Sequence, residues 1–211
     1  MTYSKIVGTG RYLPEKILTN FDLEKMVDTN DEWIRTRTGV ERRHCVAPDQ
    51  TTSDMCVEAA KVAIEDAGIE PSDIDMVVIG TTSPDLIFPN AATLVQHRLG
   101  IPACPCIATE EACTSFIYGL SIADKFVKAG EAKCVLVIGA ECITKLVDWS
   151  DRNTCVLFGD GAGAVILKAS EEPGILATHL GADGQYKDLL YYPVGASKDL
   201  HKAGTDQASI M

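Results

Sequence analysis

The chain has 211 residues, 46% of them hydrophobic, enough to bury a sizeable core and too apolar for a disordered polymer. No apolar run approaches the roughly 20 residues that span a bilayer, and the start Met1-Thr2-Tyr3-Ser4-Lys5-Ile6-Val7-Gly8 lacks the basic-then-apolar plan of a secretory leader, so a cytoplasmic protein with no membrane association is expected. A net charge of −11 argues against nucleic acid as a partner, since phosphate neutralisation needs clustered Lys and Arg.

Ser4–Gly10 reads as a short apolar strand closed by Gly8 and Gly10, with Pro14 marking the next turn. Asn20 is expected to cap a helix that places Phe21, Leu23, Met26 and Val27 on helical spacing, and Asp31–Arg35 to form a second short helix. The basic stretch that follows, with Arg35, Arg37, Arg42 and Arg43, suits a small anionic ligand. A longer helix is predicted from Thr52 or Ser53 to Gly68, its stripe of Cys56, Ala59, Ala60, Ala63, Ile64 and Ala67 small enough to pack closely on a sheet. Asp75–Gly80 has the continuous apolar pattern of a strand covered on both faces, and a helix is expected over about Ala91–Leu99.

Cys104–Phe116 reads as a strand, a sharp corner and a helix beginning at Cys113; Gly130 ends that helix and Cys134–Gly139 is another buried strand. Strands alternating with helices through short connections imply right-handed crossovers and a layered α/β fold. Thr154–Phe158 and Ala164–Leu167 are read as paired strands joined by a glycine turn, Gly159–Gly163. A phosphate-cradling loop would instead lead from a strand into a helix. Ile175–Leu180 is predicted to open a new strand and Tyr186–Pro193 to be irregular.

Eight cysteines without a secretory leader are expected to be reduced, and most to be core residues. Cys104-Pro105-Cys106 comes nearest to a metal-ligand pair, but no second pair follows, so no metal site is expected and strand packing is the better account. Cys113 differs from the others by its corner position, where unsatisfied backbone N–H groups favour thiolate over thiol and hence nucleophilic attack.

Glu111-Ala112-Cys113-Thr114-Ser115-Phe116, Asp151-Arg152-Asn153-Thr154 and Phe158–Ala164 resemble the β-ketoacyl-acyl-carrier-protein synthase III family. So do Gly8–Pro14 and Asp28–Gly39, and in order and spacing the motifs cover essentially the whole chain. The resemblance implies a thiolase-like fold of two similar halves, of which residues 1–170 are the first, carrying the nucleophilic cysteine, and 171–211 the incomplete start of the second. It implies the initiating condensation of fatty acid synthesis, in which an acyl group passes from acyl-CoA, here acetyl-CoA foremost, to Cys113 and then joins malonyl-acyl carrier protein with loss of carbon dioxide. Acyl-CoA is then a substrate, no cofactor is needed, acyl carrier protein is a partner, and the assembly is a homodimer.

By the same resemblance Trp33 and Arg152 lie on either face of the CoA adenine, with Thr29 and Arg37 near its nucleotide phosphates. Ile143, Phe158 and Leu190 line the acyl pocket, and Phe88 reaches into the partner subunit's pocket. Two features depart from the family pattern. The histidine and asparagine that polarise the malonyl thioester have no matching motif, and His44, His97, His179 and His201 stand outside any such context, so the chain as given is expected to be incomplete for full turnover. Glu110 and Glu111 stand where small apolar residues are usual, and Ser115 replaces a usual glycine; the corner geometry is expected to point Glu111 away from the thiol. A secondary-metabolite acyltransferase relative and a noncatalytic half that binds CoA or assembles with a partner chain are the alternatives.

Overall fold

The computed structural model describes residues 2–193. In chain order the elements are β1 (Tyr3–Tyr12), β2 (Lys16–Thr19), α1 (Asn20–Leu23), α2 (Asp31–Thr38), β3 (Arg42–Cys45), α3 (Thr52–Ala67), β4 (Met76–Gly80), α4 (Ala91–Arg98), β5 (Cys106–Thr109), α5 (Ser115–Ala129), β6 (Cys134–Cys142) and β7 (Asp160–Ser170). They fall into two compact units, one of Met1–Leu13, Asp49–Glu141 and Gly161–Leu180, the other of Pro14–Pro48, Cys142–Asp160 and Gly181–Met211. Among the described residues no helix is long and apolar enough to cross a membrane.

The first unit is built on a five-stranded mixed sheet in the order β1-β7-β6-β4-β5. β4 runs parallel to both β5 and β6, whereas β1 and β7 are antiparallel. Met76 and Val78 of β4 and Val135 and Val137 of β6 cluster with Ala123 and Val127 of α5. The strand pleat therefore turns Val77, Ile79, Leu136 and Ile138 to the other face, and these too are fully buried. Burial on both faces is the physical reason for the continuous apolar runs in the sequence.

β1 serves both faces of the sheet. Ser4 and Ile6 lie opposite Ala169 and Leu167 on the α5 side, and the register then shifts between Ile6 and Gly8. This bulge re-aims the strand, so that Gly8 and Gly10 face α3. A Cβ on Gly8 would lie 2.5 Å from the Ala63 carbonyl oxygen, and one on Gly10 would lie 2.2 Å from that of Ala59. The small-residue stripe of α3 and the two glycines thus meet backbone to backbone.

Several boundaries differ from the sequence reading. Thr19, not Asn20, caps α1: its side chain accepts from the Asp22 N–H while the Asp22 carboxylate accepts from the Thr19 N–H, and the helix ends at Leu23. The freed Asn20 is buried, and its side-chain amide donates to Asp31 and the Val40 carbonyl oxygen. α5 begins at Ser115, behind a 3-10 turn over Ala112–Thr114. Thr154–Phe158 forms no strand, and Gly161 and Gly163 lie inside β7, where Gly163 pairs with Arg11 of β1, rather than in a connecting turn. Ile175–Leu180 forms no regular strand, although Ile175 packs on the α5 cluster. His201 lies outside the described residues.

In the second unit β2 and β3 pair antiparallel, and Leu23, Ile34, Val147, Cys155 and Val156 form a small core. The apolar run at 154–158 is accounted for by this core: Cys155 and Val156 are buried in it from a turn, a placement that periodicity alone does not distinguish from a strand. Buried polar groups tie its segments together. The Arg43 guanidinium donates to Asn20 Oδ1 (3.0 Å) and the Val156 carbonyl oxygen (3.1 Å). The Asp160 carboxylate accepts from the Val46 N–H (2.8 Å), the Thr144 N–H (2.9 Å) and the Thr144 hydroxyl.

One fully buried carboxylate links β1 to α5. Asp124 accepts from Ser4 Oγ (2.6 Å) and pairs with Lys125 and Lys128, each at 2.8 Å. Burial alone would push its pKa up, but the hydrogen bonds from Lys125, Lys128 and Ser4 outweigh that and hold it below the usual carboxylate value. A lowered folded-state pKa gives stabilisation that is complete above the unfolded value of about 3.9 and is lost as pH falls through the folded one. Asp124→Asn is expected to cost about 2 kcal/mol at neutral pH, with the gap closing on acidification below about pH 4; urea unfolding across that range measures both.

Candidate functional site

Cys113 lies in the turn beyond Thr109, the last residue of β5, at the edge where parallel strands β4, β5 and β6 end and where α/β sheets place their ligand sites. All eight cysteines are among the described residues; five are buried, Cys104 and Cys106 are half-buried, and Cys113 alone is exposed. The thiol thus sits in the 3-10 turn just ahead of α5 rather than on the helix itself. The preceding Ala112 adopts φ +47°, a left-handed conformation that costs a side-chain-bearing residue of order 1 kcal/mol. Thr114 braces the turn, its N–H and hydroxyl both donating to the Glu111 carbonyl oxygen (3.1 and 2.8 Å).

Two strand glycines set the position of this turn. A Cβ on Gly80 would lie 2.5 Å from Ser115 Cβ, and one on Gly139 would lie 3.1 Å from Phe116 Cβ. Ser115 is buried, and its hydroxyl finds no hydrogen-bond partner. Beside them, at the ends of β4 and β6, the Glu141 carboxylate accepts from the Thr82 N–H (2.9 Å), the Thr82 hydroxyl (3.0 Å) and the Ser83 hydroxyl (2.7 Å). Burial pushes its pKa up against those hydrogen bonds. The sequence reading missed these supports, although glycines closing buried strands, at Gly80 and Gly139, were a visible signal. Glu110 and Glu111 are exposed, where solvent and salt screen their charge.

In the second unit Trp33, Arg37 and Arg152 come together. The Arg152 guanidinium carbon stands 4.4 Å from the Trp33 ring centroid and that of Arg37 stands 5.0 Å from it, both within cation–π range. Arg152 also approaches Asp28 at 3.6 Å. Asn30 caps α2 by accepting from the Trp33 N–H (2.8 Å), which orients the ring's backbone. The Thr29 hydroxyl is buried without a partner. Ile143 and Phe158 share with Trp33 the small core of this unit, whereas Leu190 is exposed. In the first unit Phe88 is 82% exposed.

The four clustered arginines separate. Arg43 is buried in the hydrogen bonds described above, and Arg35 pairs with Glu41 (3.0 Å) and Asp31 (3.7 Å). Arg37 and Arg42 remain at the surface. His44 Nδ1 bonds the Pro14 carbonyl oxygen (2.5 Å), a structural role. Among the described residues no three His, Cys, Asp or Glu side chains converge to hold a metal ion.

The layered α/β core that presents one exposed cysteine at the C-terminal edge of its parallel strands superposes on solved structures of thiolase-like condensing enzymes. The family model for 3-oxoacyl-[acyl-carrier-protein] synthase III matches residues 108–184. A β-ketoacyl-[acyl-carrier-protein] synthase III of Xanthomonas campestris is 61% identical over 195 residues, 92% of this chain and 60% of that protein. The crystal structure of 3-oxoacyl-[acyl-carrier-protein] synthase III from Aquifex aeolicus superposes with a TM-score of 0.89 at 46% identity, over 99% of this chain and 64% of that one. The priming β-ketosynthase of the R1128 polyketide pathway superposes with a TM-score of 0.93 at 32% identity, over 99% and 63%. Over 92% of its length the chain is similar to the β-ketoacyl-[acyl-carrier-protein] synthase III of Xanthomonas campestris, and it spans 60% of that relative's length.

The exposure of Cys113 and Glu111 leads to a labelling pattern. Native-state alkylation is expected to modify Cys113 ahead of the other seven cysteines, and Glu111→Ala to leave the pH profile of that reaction unchanged; a profile displaced to lower pH in the variant would show that the carboxylate faces the thiol.

Proposed function

We propose that the chain carries the acyl-accepting nucleophile and the CoA-binding surface of an enzyme that initiates fatty acid synthesis by condensing acyl-CoA, acetyl-CoA foremost, with malonyl-acyl carrier protein. The observation that carries this reading is the solitary exposure of Cys113 in a turn braced by β4 and β6. Cys113 Sγ attacks the acyl carbonyl carbon, the carbon–sulfur bond to CoA breaks, and CoA leaves with the proton. Thioester replaces thioester, so the acyl group stays as reactive as it was, which a serine ester would not achieve. The Cys113 N–H has no acceptor among the described residues and is free to stabilise the developing oxyanion.

On this reading residues 1–170 form the first thiolase-like half and 171–211 open the second. Trp33 and Arg152 take the adenine between them, Arg37 pairs with phosphate, and the unpartnered Thr29 hydroxyl gains a hydrogen bond from the nucleotide. Ile143, Phe158 and Leu190 line the acyl pocket. The exposed run Leu86-Ile87-Phe88 supports a homodimer in which Phe88 enters the partner subunit's pocket. Acyl carrier protein is the second partner, no cofactor is required, and the setting is cytoplasmic. The fold likeness to a priming β-ketosynthase of a polyketide pathway favours, as second reading, an acyltransferase with a different acyl preference.

Incubation with acetyl-CoA is expected to add one acetyl group to Cys113 by intact mass, and Cys113→Ala to add none. CoA binding without an adduct would leave a noncatalytic binding half, and a longer acyl-CoA preferred over acetyl-CoA would favour the second reading. Arg152→Ala is expected to weaken CoA about tenfold by titration calorimetry, the equivalent of about 1.4 kcal/mol, within the range of a partly desolvated cation–π contact.

A further inference from the structure

Cys104 and Cys106 lie outside the site around Cys113. Cys104 precedes the outer strand β5 and Cys106 is its first residue, with only Pro105 between them. Both thiols are half-buried rather than sealed in the core, and Cys106 Sγ approaches the Cys104 carbonyl oxygen at 3.5 Å. Burial first, and then the neighbouring Cys106, pushes the Cys104 thiol up to about 11. Burial likewise raises Cys106, while the neighbouring Cys104 and Thr93 side chains act in the opposite direction. Both thiols are thus held above the ordinary value, Cys106 against two opposing contacts.

We infer that Cys104 and Cys106 form a redox-active dithiol that a peroxide oxidises to an intrastrand disulfide. In the first step Cys106 thiolate attacks a peroxide oxygen, the O–O bond breaks, and hydroxide leaves to become water, giving a sulfenic acid. Cys104 sulfur then attacks that sulfur, the S–O bond breaks, a second water leaves and the S–S bond forms. The two thiols lose two electrons and two protons, and the peroxide is reduced to water. The product closes a ring over a single intervening residue. An extended chain separates Cα atoms two positions apart by close to 7 Å, beyond the common disulfide spacing of about 5.5–6 Å, so the link bends the segment and is readily reduced. The bend falls where the Pro105 carbonyl oxygen accepts from the Val77 N–H (3.0 Å) and where Cys106 pairs with Val77, at the start of the strand that ends ahead of Cys113.

The test uses the full chain with Cys113→Ser, which leaves Cys104 and Cys106 as the cysteines of the tryptic peptide running from Leu99 to Lys125. After hydrogen peroxide and thiol blocking, that peptide is expected to lose two hydrogens and both blocking groups, to regain them with dithiothreitol, and to show no such loss when either Cys104→Ser or Cys106→Ser is added. A peptide that gains oxygen without losing hydrogens, a link from either residue to a distant cysteine, or both thiols still fully alkylated after peroxide would overturn the inference. Circular dichroism of each serine variant confirms that it is folded before the result is read.

Discussion

The contact on which the first unit depends is the close approach of α5 to the strand ends, made where glycines leave out a Cβ. Gly80 meets Ser115, Gly139 meets Phe116, and Gly119 on the helix itself lies where a Cβ would stand 3.2 Å from Val137 and 3.3 Å from Val78. Three missing Cβ atoms let the helix settle onto the sheet, and this close packing gathers Leu120, Ala123, Phe126 and Val127 with the buried valines below. The turn bearing Cys113 is the extension of that helix toward solvent. Its thiol is therefore placed by the sheet and not by the loop, which is how a reactive group can be both exposed and fixed.

The second unit reaches order by a different route. Its apolar core is small, and buried polar groups join segments remote in sequence: Arg43 with Asn20 and Val156, Asp160 with Val46 and Thr144. Such groups are costly to bury unless their partners are in place, so they specify one arrangement of otherwise irregular chain. Trp33 stands at the margin of this arrangement, packed on the core by one part of its ring and covered by guanidinium groups on another.

What was readable in the sequence follows from which signals are local. The apolar runs of β4 and β6, the alanine stripe of α3 and the terminating Gly68 and Gly130, both at positive φ, each encode their outcome within a few residues. The Thr154–Phe158 run does not, because its burial is decided by Leu23 and Ile34, more than a hundred positions earlier. The bulge in β1 was invisible for the same reason: its necessity lies in serving two faces, one holding Asp124 and the other α3. Of the candidate site, Cys113 stood out by its corner and Trp33, Arg37 and Arg152 by motif, yet the division of labour among the four arginines required Glu41, Asn20 and Val156 to be seen in space.

The guanidinium of Arg152 already rests on Trp33. A centroid separation of 4.4 Å leaves no room for a third flat group, because a stacked base needs about 3.5 Å on each of its sides. A planar base that enters between Trp33 and Arg152 must therefore lift the guanidinium off the ring and take it onto its own far face. The net gain is two new stacks less the one they replace, and Arg152 covers this ring face whenever the base is away.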